Sequence, residues 1–399
     1  MSSVMDFTPF IPSEKALEKT DLPDSVMRLT RKSASLGGGL APQTFETIRR
    51  HMSVINSYYS NLIEGNKTHP HDIRQAQAGN YSSDPAKRDL QIESVAHIGV
   101  QDWIFDQKLS VGEVFSADFI QELHRKLYEQ LPESLRIVRD EQSGTKEMVE
   151  PGQWRQRPVS VGQHLPPVTD DMGDLVDRFC QTYSADRYRG TQKTIAVLCA
   201  HHRLLWIHPF LDGNGRVARL WLDASLKAID YDSYGLWCIA RGLARTSDQY
   251  KGALAAADIK RKGDRDGRGQ LSEEGLIRFC SYMLEQALDQ AEYMTDVLDL
   301  NSIRQRINAY IKARNEGLIN SGTGILKPTA STVLFNTFIT GEMERGEALE
   351  AMAIPERSAR RQISLMREEG LLVSDSKSAP LRWAIPEHAE PWLFPDLVK

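Results

Sequence analysis

Twelve consecutive residues leave the backbone little choice: His208-Pro209-Phe210-Leu211-Asp212-Gly213-Asn214-Gly215-Arg216-Val217-Ala218-Arg219. Pro209 disfavours helical geometry at His208, which leaves an imidazole at the mouth of a loop. Gly213, Asn214 and Gly215 tolerate positive φ, and apolar residues then recur with helical spacing at Val217, Leu220, Trp221 and Ala224. The result is a loop feeding a helix N-terminus, where free backbone N–H groups and the helix dipole favour an anion. Asp212 beside that site would repel a phosphate unless a divalent cation stood between them, so Mg²⁺ with a polyphosphate is the simplest reading. Arg216 and Arg219 lie one turn apart and can reach two successive phosphates. The Lys and Ser/Thr that close a P-loop are absent, which excludes that motif.

Length and composition set looser bounds. The 399 residues have room for several domains with a substantial core. Net charge is −5 with 26% charged residues, a balance that demands neither nucleic acid nor a membrane as partner. No apolar run approaches the roughly 20 residues of a membrane span, and the expected location is cytoplasmic. Cys180, Cys199, Cys238 and Cys280 are widely spaced in apolar helical contexts and read as buried free thiols.

Taken in order, residues 1–41 read as an arm over the surface, punctuated by prolines and by Gly37-Gly38-Gly39. Pro42 starts a long amphipathic helix with Phe45, Ile48, Met52, Ile55, Tyr59 and Leu62 on one face, ending at Gly65 and Asn66. Glu64 in its last turn opposes the helix dipole, so it is either a solvated residue at a small cost or the partner of a cation elsewhere in the fold. Helical patterns follow over 86–105, 116–131, 170–183 and 191–207, interrupted by an alternating segment, Val159-Ser160-Val161-Gly162, that predicts a short hairpin. His201 and His202, adjacent on a helix, cannot share a ligand and read as structural. Residues 300–327 read as a linker helix and loop, and 328–399 as a winged helix-turn-helix domain with a tail. Arg357, Arg360, Arg361 and Ser364 share the outer face of its third helix, yet Pro328 to Ile385 carries seven Lys/Arg against eight Asp/Glu, poor electrostatics for DNA. A DNA partner and a protein partner both remain open for it.

The string from His208 to Arg219 resembles the signature of the Fic (Fido) family, H-x-F-x-[DE]-G-N-G-R-x-x-R, with every defined position filled. Ser60-Asn61-Leu62-Ile63-Glu64-Gly65 resembles the family's inhibitory motif, [ST]-x-x-x-E-[GN], which implies that Glu64, with Ser60 one turn earlier, pairs with Arg219. Val159 to Pro167 resembles the flap that aligns a target chain, which implies that Val161, Gly162, Gln163 and His164 line the nucleotide side. Tyr250 matches the first of two tyrosines that line the adenine pocket in the family; the second position is Lys251 here, and Asp258 stands where a polar residue often approaches the base. The resemblance covers about residues 42–290 and implies a mainly α fold: a helical Fic core (42–299, inhibitory helix 42–66, flap 153–167), joined to the C-terminal winged helix-turn-helix domain.

By the same resemblance, the expected activity is AMP transfer from ATP to a Ser, Thr or Tyr hydroxyl of a target protein, or of the chain itself. His208, with an unperturbed pKa of about 6.5, is the expected general base. Asp212 is expected to hold Mg²⁺, the nucleotide to lie against Gly213, Asn214, Gly215, Arg216, Val217, Ala218 and Arg219, and Phe210 to point inward as a packing anchor. Removal of AMP, with Glu64 positioning a water, and a transcriptional regulator using the core as a nucleotide sensor are the alternatives. A homodimer is compatible with all three, and no membrane partner is expected.

Overall fold

The computed structural model describes residues 4–139, 144, 146–162, 164–168, 171–231, 233–322 and 324–398. In chain order the longer helices are α1 (Leu22–Gly38), α2 (Pro42–Ile63), α3 (Pro85–Asp106), α4 (Ala117–Glu129), α5 (Met172–Tyr183), α6 (Thr191–Ile207), α7 (Asn214–Ala228), α8 (Ser247–Asp258), α9 (Glu273–Leu298), α10 (Leu300–Asn315), α11 (Ala330–Thr340), α12 (Arg345–Ala351) and α13 (Glu356–Glu368). Strands are short: β1 (Ile137–Arg139), β2 (Lys146–Met148), β3 (Glu342–Met343), β4 (Leu372–Val373) and β5 (Leu381–Trp383). The chain divides into two compact units, one holding Asn56–Tyr234 and Cys238–Gln290 with the N-terminal residues to Ser33, the other Ala34–Ile55, Gly235–Trp237 and the residues from Ala291 onward.

The first unit is built on α6 and α7. α6 is buried on every side, its His201, His202 and Arg203 included, and lies at the centre, with Ile195, Ala196, Val197, Cys199, Ala200 and Ile207 all fully buried. α7 buries Val217, Leu220, Trp221 and Ala224 as its spacing predicted, and the Trp221 indole donates to the Val114 carbonyl at 2.9 Å. A polar seam crosses this core: Asn56 on α2 donates to Gln101 Oε1 on α3 at 2.6 Å and to Asp223 Oδ2 on α7 at 3.1 Å. Burial raises the Asp223 carboxyl to about 7 against the Tyr234 and Asn56 hydrogen bonds.

Three expectations are corrected here. The N-terminal residues are not an irregular arm: α1 buries Leu22, Val26, Leu29 and Ser33 at spacings of one turn, and Phe7 is fully buried against Phe10, Phe179, Tyr183 and Trp206. Pro23 is tolerated in the first turn of α1, and the glycine run merely ends the helix. Second, the two-stranded hairpin is β1–β2, antiparallel with Val138 opposite Glu147, and not the Val159–Gly162 segment. There a single bridge joins Val161 and His164, each N–H donating to the other's carbonyl at 2.9 Å. Pro158 on one side and Pro166-Pro167 on the other lack N–H donors, so the ladder cannot lengthen. Third, the helix expected from residue 170 is α5, beginning at Met172, with Asp171 capping the Asp174 N–H at 2.8 Å.

In the second unit the expected linker helix is α10, which buries Ile303, Ile307, Tyr310 and Ile311 and is therefore part of the packed unit. Its Arg314 forms an ion pair with Glu369 just beyond α13, the side chains only 2% and 3% exposed. α11, α12 and α13 are the three helices of this segment, and α13 buries Ala359, Ile363 and Met366 on one face. The strands run antiparallel in the order β3-β5-β4; β3, two residues long, carries no alternation from which it could be read. All four cysteines are free and buried.

Candidate active site

The site begins where α6 ends. His208 is its C-cap, in left-handed geometry with φ 52°, its N–H donating to the Leu204 carbonyl at 3.0 Å while Pro209 prevents another helical turn. Arg155, 7% exposed, clamps this corner: Nε donates to the His208 carbonyl at 2.8 Å, Nη2 to the Pro167 carbonyl at 2.6 Å and Nη1 to the Arg157 carbonyl at 2.9 Å. One guanidinium thus ties the histidine's backbone to the segment that carries Val161 and His164. Burial, with the charges of Arg155 and His164, pulls the His208 imidazole down to about 4, against the opposing pull of the Leu205 carbonyl and Asp212. The ring is consequently neutral at pH 7.

Phe210 is fully buried, as expected, and its ring lies on His124 at 3.9 Å and near Trp154 at 4.9 Å. Asn214 closes the loop locally, accepting from the Phe210 N–H and donating to the Phe210 carbonyl, each at 2.9 Å. Gly213 is the N-cap of α7 with φ 76°, where a side chain would be strained; a Cβ there would fall 2.6 Å from Tyr128 Cε2. Having no side chain, Gly213 leaves the first N–H groups of α7 without a side-chain cap.

Around this helix start stand the charged groups. The Asp212 carboxylate, about half exposed, accepts from the Tyr128 hydroxyl at 2.7 Å and lies 3.8 Å from Arg216 Nη2. Burial disfavours charge on Arg216, but Tyr128, Glu93, Asp212 and Glu64 more than offset it and raise its pKa. Arg219 is 3% exposed: Nε donates to Ser60 Oγ at 2.8 Å, and Nη2 donates to the Ser60 carbonyl at 3.0 Å and to Glu64 Oε1 at 2.6 Å. Glu64 also presses on Gly215, where an added Cβ would collide with Oε1 and lie 3.1 Å from Cδ. Gly65, φ 93°, turns the chain out of α2, and the Asn66 N–H then bonds the Asn61 carbonyl at 3.0 Å, closing the helix end.

The remaining expected residues are spread more widely. Val217 and Ala218 are buried on the core side of α7, and the Val217 N–H bonds the Gly213 carbonyl, so neither offers a side chain to the loop. Tyr250, 2% exposed, donates its hydroxyl proton to His201 Nε2 at 3.0 Å, and His201 Nδ1 donates to the Ala218 carbonyl at 3.1 Å. Asp258 lies 3.3 Å from His202 Nε2, which also bonds the Leu254 carbonyl at 3.0 Å. His164 Nε2 bonds the Trp206 carbonyl at 2.7 Å, and Val161 is exposed at the turn formed by Gly162. Gln163 lies outside the described residues. Tyr128, Arg155 and Glu93 are members of the site that carried no signal in the sequence, since Tyr128 reads as part of an amphipathic stripe and the other two as ordinary polar residues.

The family model described as Fic/DOC matches residues 114–226, which include the whole loop from His208 to Arg219. The chain contains a Fic/DOC domain. Among curated proteins it is similar to "Protein adenylyltransferase Fic" of Drosophila mojavensis, 34% identical over 116 residues (29% of this chain, 22% of that protein), and of Drosophila grimshawi, 31% identical over 116 residues (29% and 23%). The match thus spans about a fifth of the length of these relatives. Among solved structures it resembles a Fic domain containing signaling protein from Bacteroides thetaiotaomicron (TM-score 0.50, 21% identity, 68% of this chain and 95% of that one). It also resembles Fic-1 from C. elegans (TM-score 0.51, 16% identity, 70% and 72%), and both likenesses concern the Fic fold. Among the described residues, no helix is long and apolar enough to cross a membrane.

Proposed function

We propose that this protein moves AMP from ATP to a Ser, Thr or Tyr hydroxyl of a target protein, and that Glu64 restrains the reaction through Arg219. The observation that carries this reading is the arrangement at the start of α7. An uncapped helix N-terminus is flanked by the neutral His208 and the half-exposed Asp212, with the guanidiniums of Arg216 and Arg219 buried behind it.

In the reaction the acceptor oxygen bonds to the α-phosphorus, the bond from that phosphorus to the oxygen bridging the β-phosphate breaks, and pyrophosphate leaves. His208 takes the hydroxyl proton. The N–H groups at Asn214, Gly215 and Arg216 stabilise the growing phosphate charge, Arg216 meets the β-phosphate, and Arg219 meets the γ-phosphate once free of Glu64. Asp212 fits a divalent cation shared with phosphates: it is a half-exposed carboxylate beside an anion site. Bound there, Mg²⁺ would neutralise phosphate charge. Exposed Val161, Leu165 and Val168 beside the site support docking of an extended target segment on the flap.

Labelling a lysate with ATP tagged at the α-phosphate, using Glu64→Gly protein and mass spectrometry of the labelled bands, tests the reading. No labelling from this ATP, with labelling instead in a parallel reaction that carries the tag on the γ-phosphate, would sink it, as would no labelling from either.

The exposed part of Glu64 favours a second activity, since a 40% exposed carboxylate beside the phosphate site can orient water for removal of AMP. Hydrolysis of a modified target that persists in Glu64→Gly would rule this out. In the second unit, Arg357 and Arg361 stay exposed on α13 whereas Arg360 pairs with Glu356 at 2.6 Å, and we propose this face as the contact for a DNA or protein partner. Loss of a salt-dependent, sequence-selective gel shift in Arg357→Ala with Arg361→Ala would mark the partner as DNA.

A further inference from the structure

The Tyr128 hydroxyl sits between the two charges at the ends of the loop turn. It has one proton, which goes to Asp212 Oδ2 at 2.7 Å, and it accepts from Arg216 Nη2 at 3.2 Å. The tyrosine itself has no freedom. It is fully buried, its ring is stacked on His124 at 4.3 Å, and its edge fills the space that a side chain at Gly213 would need. From α4, 84 residues before Asp212, one side chain therefore touches Asp212, Gly213 and Arg216. The Asp212 side chain is about half exposed, with Arg216 Nη2 3.8 Å from Oδ2.

We infer that Tyr128 is a positioning residue that presents the Asp212 carboxylate to a divalent cation and keeps Arg216 from closing on it. This rests on the metal–nucleotide reading of Asp212 given above. With Oδ2 accepting the phenolic proton, Oδ1 is left for the cation. With Tyr128 accepting from Nη2, Arg216 is held 3.8 Å from the carboxylate, short of a hydrogen bond to it, its other terminal nitrogen 3.8 Å from Glu93. Without the hydroxyl, the carboxylate is free to rotate and Arg216, 3.8 Å from it now, can close to hydrogen-bonding distance, which competes with the cation.

The test is Mn²⁺ binding, followed by electron paramagnetic resonance, to Glu64→Gly protein saturated with α,β-methylene-ATP, an analogue that cannot transfer AMP. Tyr128→Phe in that background keeps the ring against Gly213 and removes only the hydroxyl. Loss of an outer-shell partner typically weakens a metal site about 10- to 100-fold, and that loss is expected here, with a smaller fall in the metal-free binding of the analogue, from Arg216, and the melting temperature nearly unchanged. Unchanged Mn²⁺ affinity overturns the inference, as does a fall in metal-free binding and melting temperature equal to the fall in Mn²⁺ affinity, which would make Tyr128 a packing residue only. Asp212→Asn separates the two levels: if it too binds Mn²⁺ like its parent, the metal reading of Asp212 itself is wrong.

Discussion

Arg219 Nη2 donates to Glu64 Oε1 at 2.6 Å, joining α7 to the residue just past α2 across 155 positions of sequence. The guanidinium is 4% exposed and the carboxylate 40%, so the pair is stronger than an exposed one yet not closed to water. It engages the arginine that should meet the γ-phosphate and sets negative charge over Gly215 at the start of α7. Misplacing a reacting group by about 1 Å can cost roughly 100-fold. Glu64→Gly should raise transfer roughly ten- to a thousand-fold, about 1.4 to 4 kcal/mol of barrier, whereas Arg219→Ala should not, because it removes the phosphate contact with the lock. Equal rates for wild type and Glu64→Gly at matched ATP and Mg²⁺ would refute the restraint.

Gly215 offers a separate reading of the same contact. A Cβ there would collide with Glu64 Oε1, so Gly215→Ala should destabilise the wild-type protein. In Glu64→Gly the carboxylate is gone and only Arg219 Nη1, 3.2 Å from such a Cβ and at the end of a flexible side chain, has to give way, so Gly215→Ala should cost clearly less there than in the wild type. Thermal melts of the four proteins measure the coupling, and additive effects would mean that the carboxylate does not rest on this glycine.

His208→Ala should lower transfer by roughly 10²- to 10⁴-fold with ATP binding kept, since the imidazole acts on the acceptor. The pH dependence has a definite sign. With its pKa depressed to about 4, His208 is already the free base at pH 6, so kcat/KM of Glu64→Gly should be flat from pH 6 to 8 and fall only in more acid solution. A limb near pH 6.5 that disappears in His208→Ala would show that the ring titrates as if in water.

Asn66 holds the end of α2. Its Nδ2 donates to the Leu90 carbonyl at 3.0 Å and to Glu93 Oε2 at 3.1 Å, and its Oδ1 accepts from the Thr68 N–H and hydroxyl. Asn66→Ala strands these buried groups at a cost of about 1–3 kcal/mol and lets the Glu64 turn move. Basal labelling should rise, by less than in Glu64→Gly, and a measured rate at or below wild type would exclude Asn66 from the restraint.

What the amino-acid order determined by itself is the geometry that neighbours in the chain impose on one another. Pro209 after His208 ends α6, and the glycines on either side of Asn214 allow the tight loop and the bare start of α7. The same holds for α2 and its glycine exit. The left-handed geometry of His208, by contrast, goes beyond the extended backbone that a following proline favours and is held in the fold by Arg155 on its carbonyl. Where local rules compete, sequence reading failed: the glycine run hid the one-turn spacing of α1, and the prolines around Val161 and His164 limited a hairpin to one bridge. At Glu64 the sequence could register only that a carboxylate opposes its own helix dipole. Which cation compensates it was decided by the packing that brings Ser60 and Glu64 against Arg219. Tyr128 and Arg155 left no trace at all, because a tyrosine in an apolar stripe and an arginine in a loop have nothing local to distinguish them. Their hydrogen bonds go to residues 84 and 53 positions away, and only the folded chain supplies those partners.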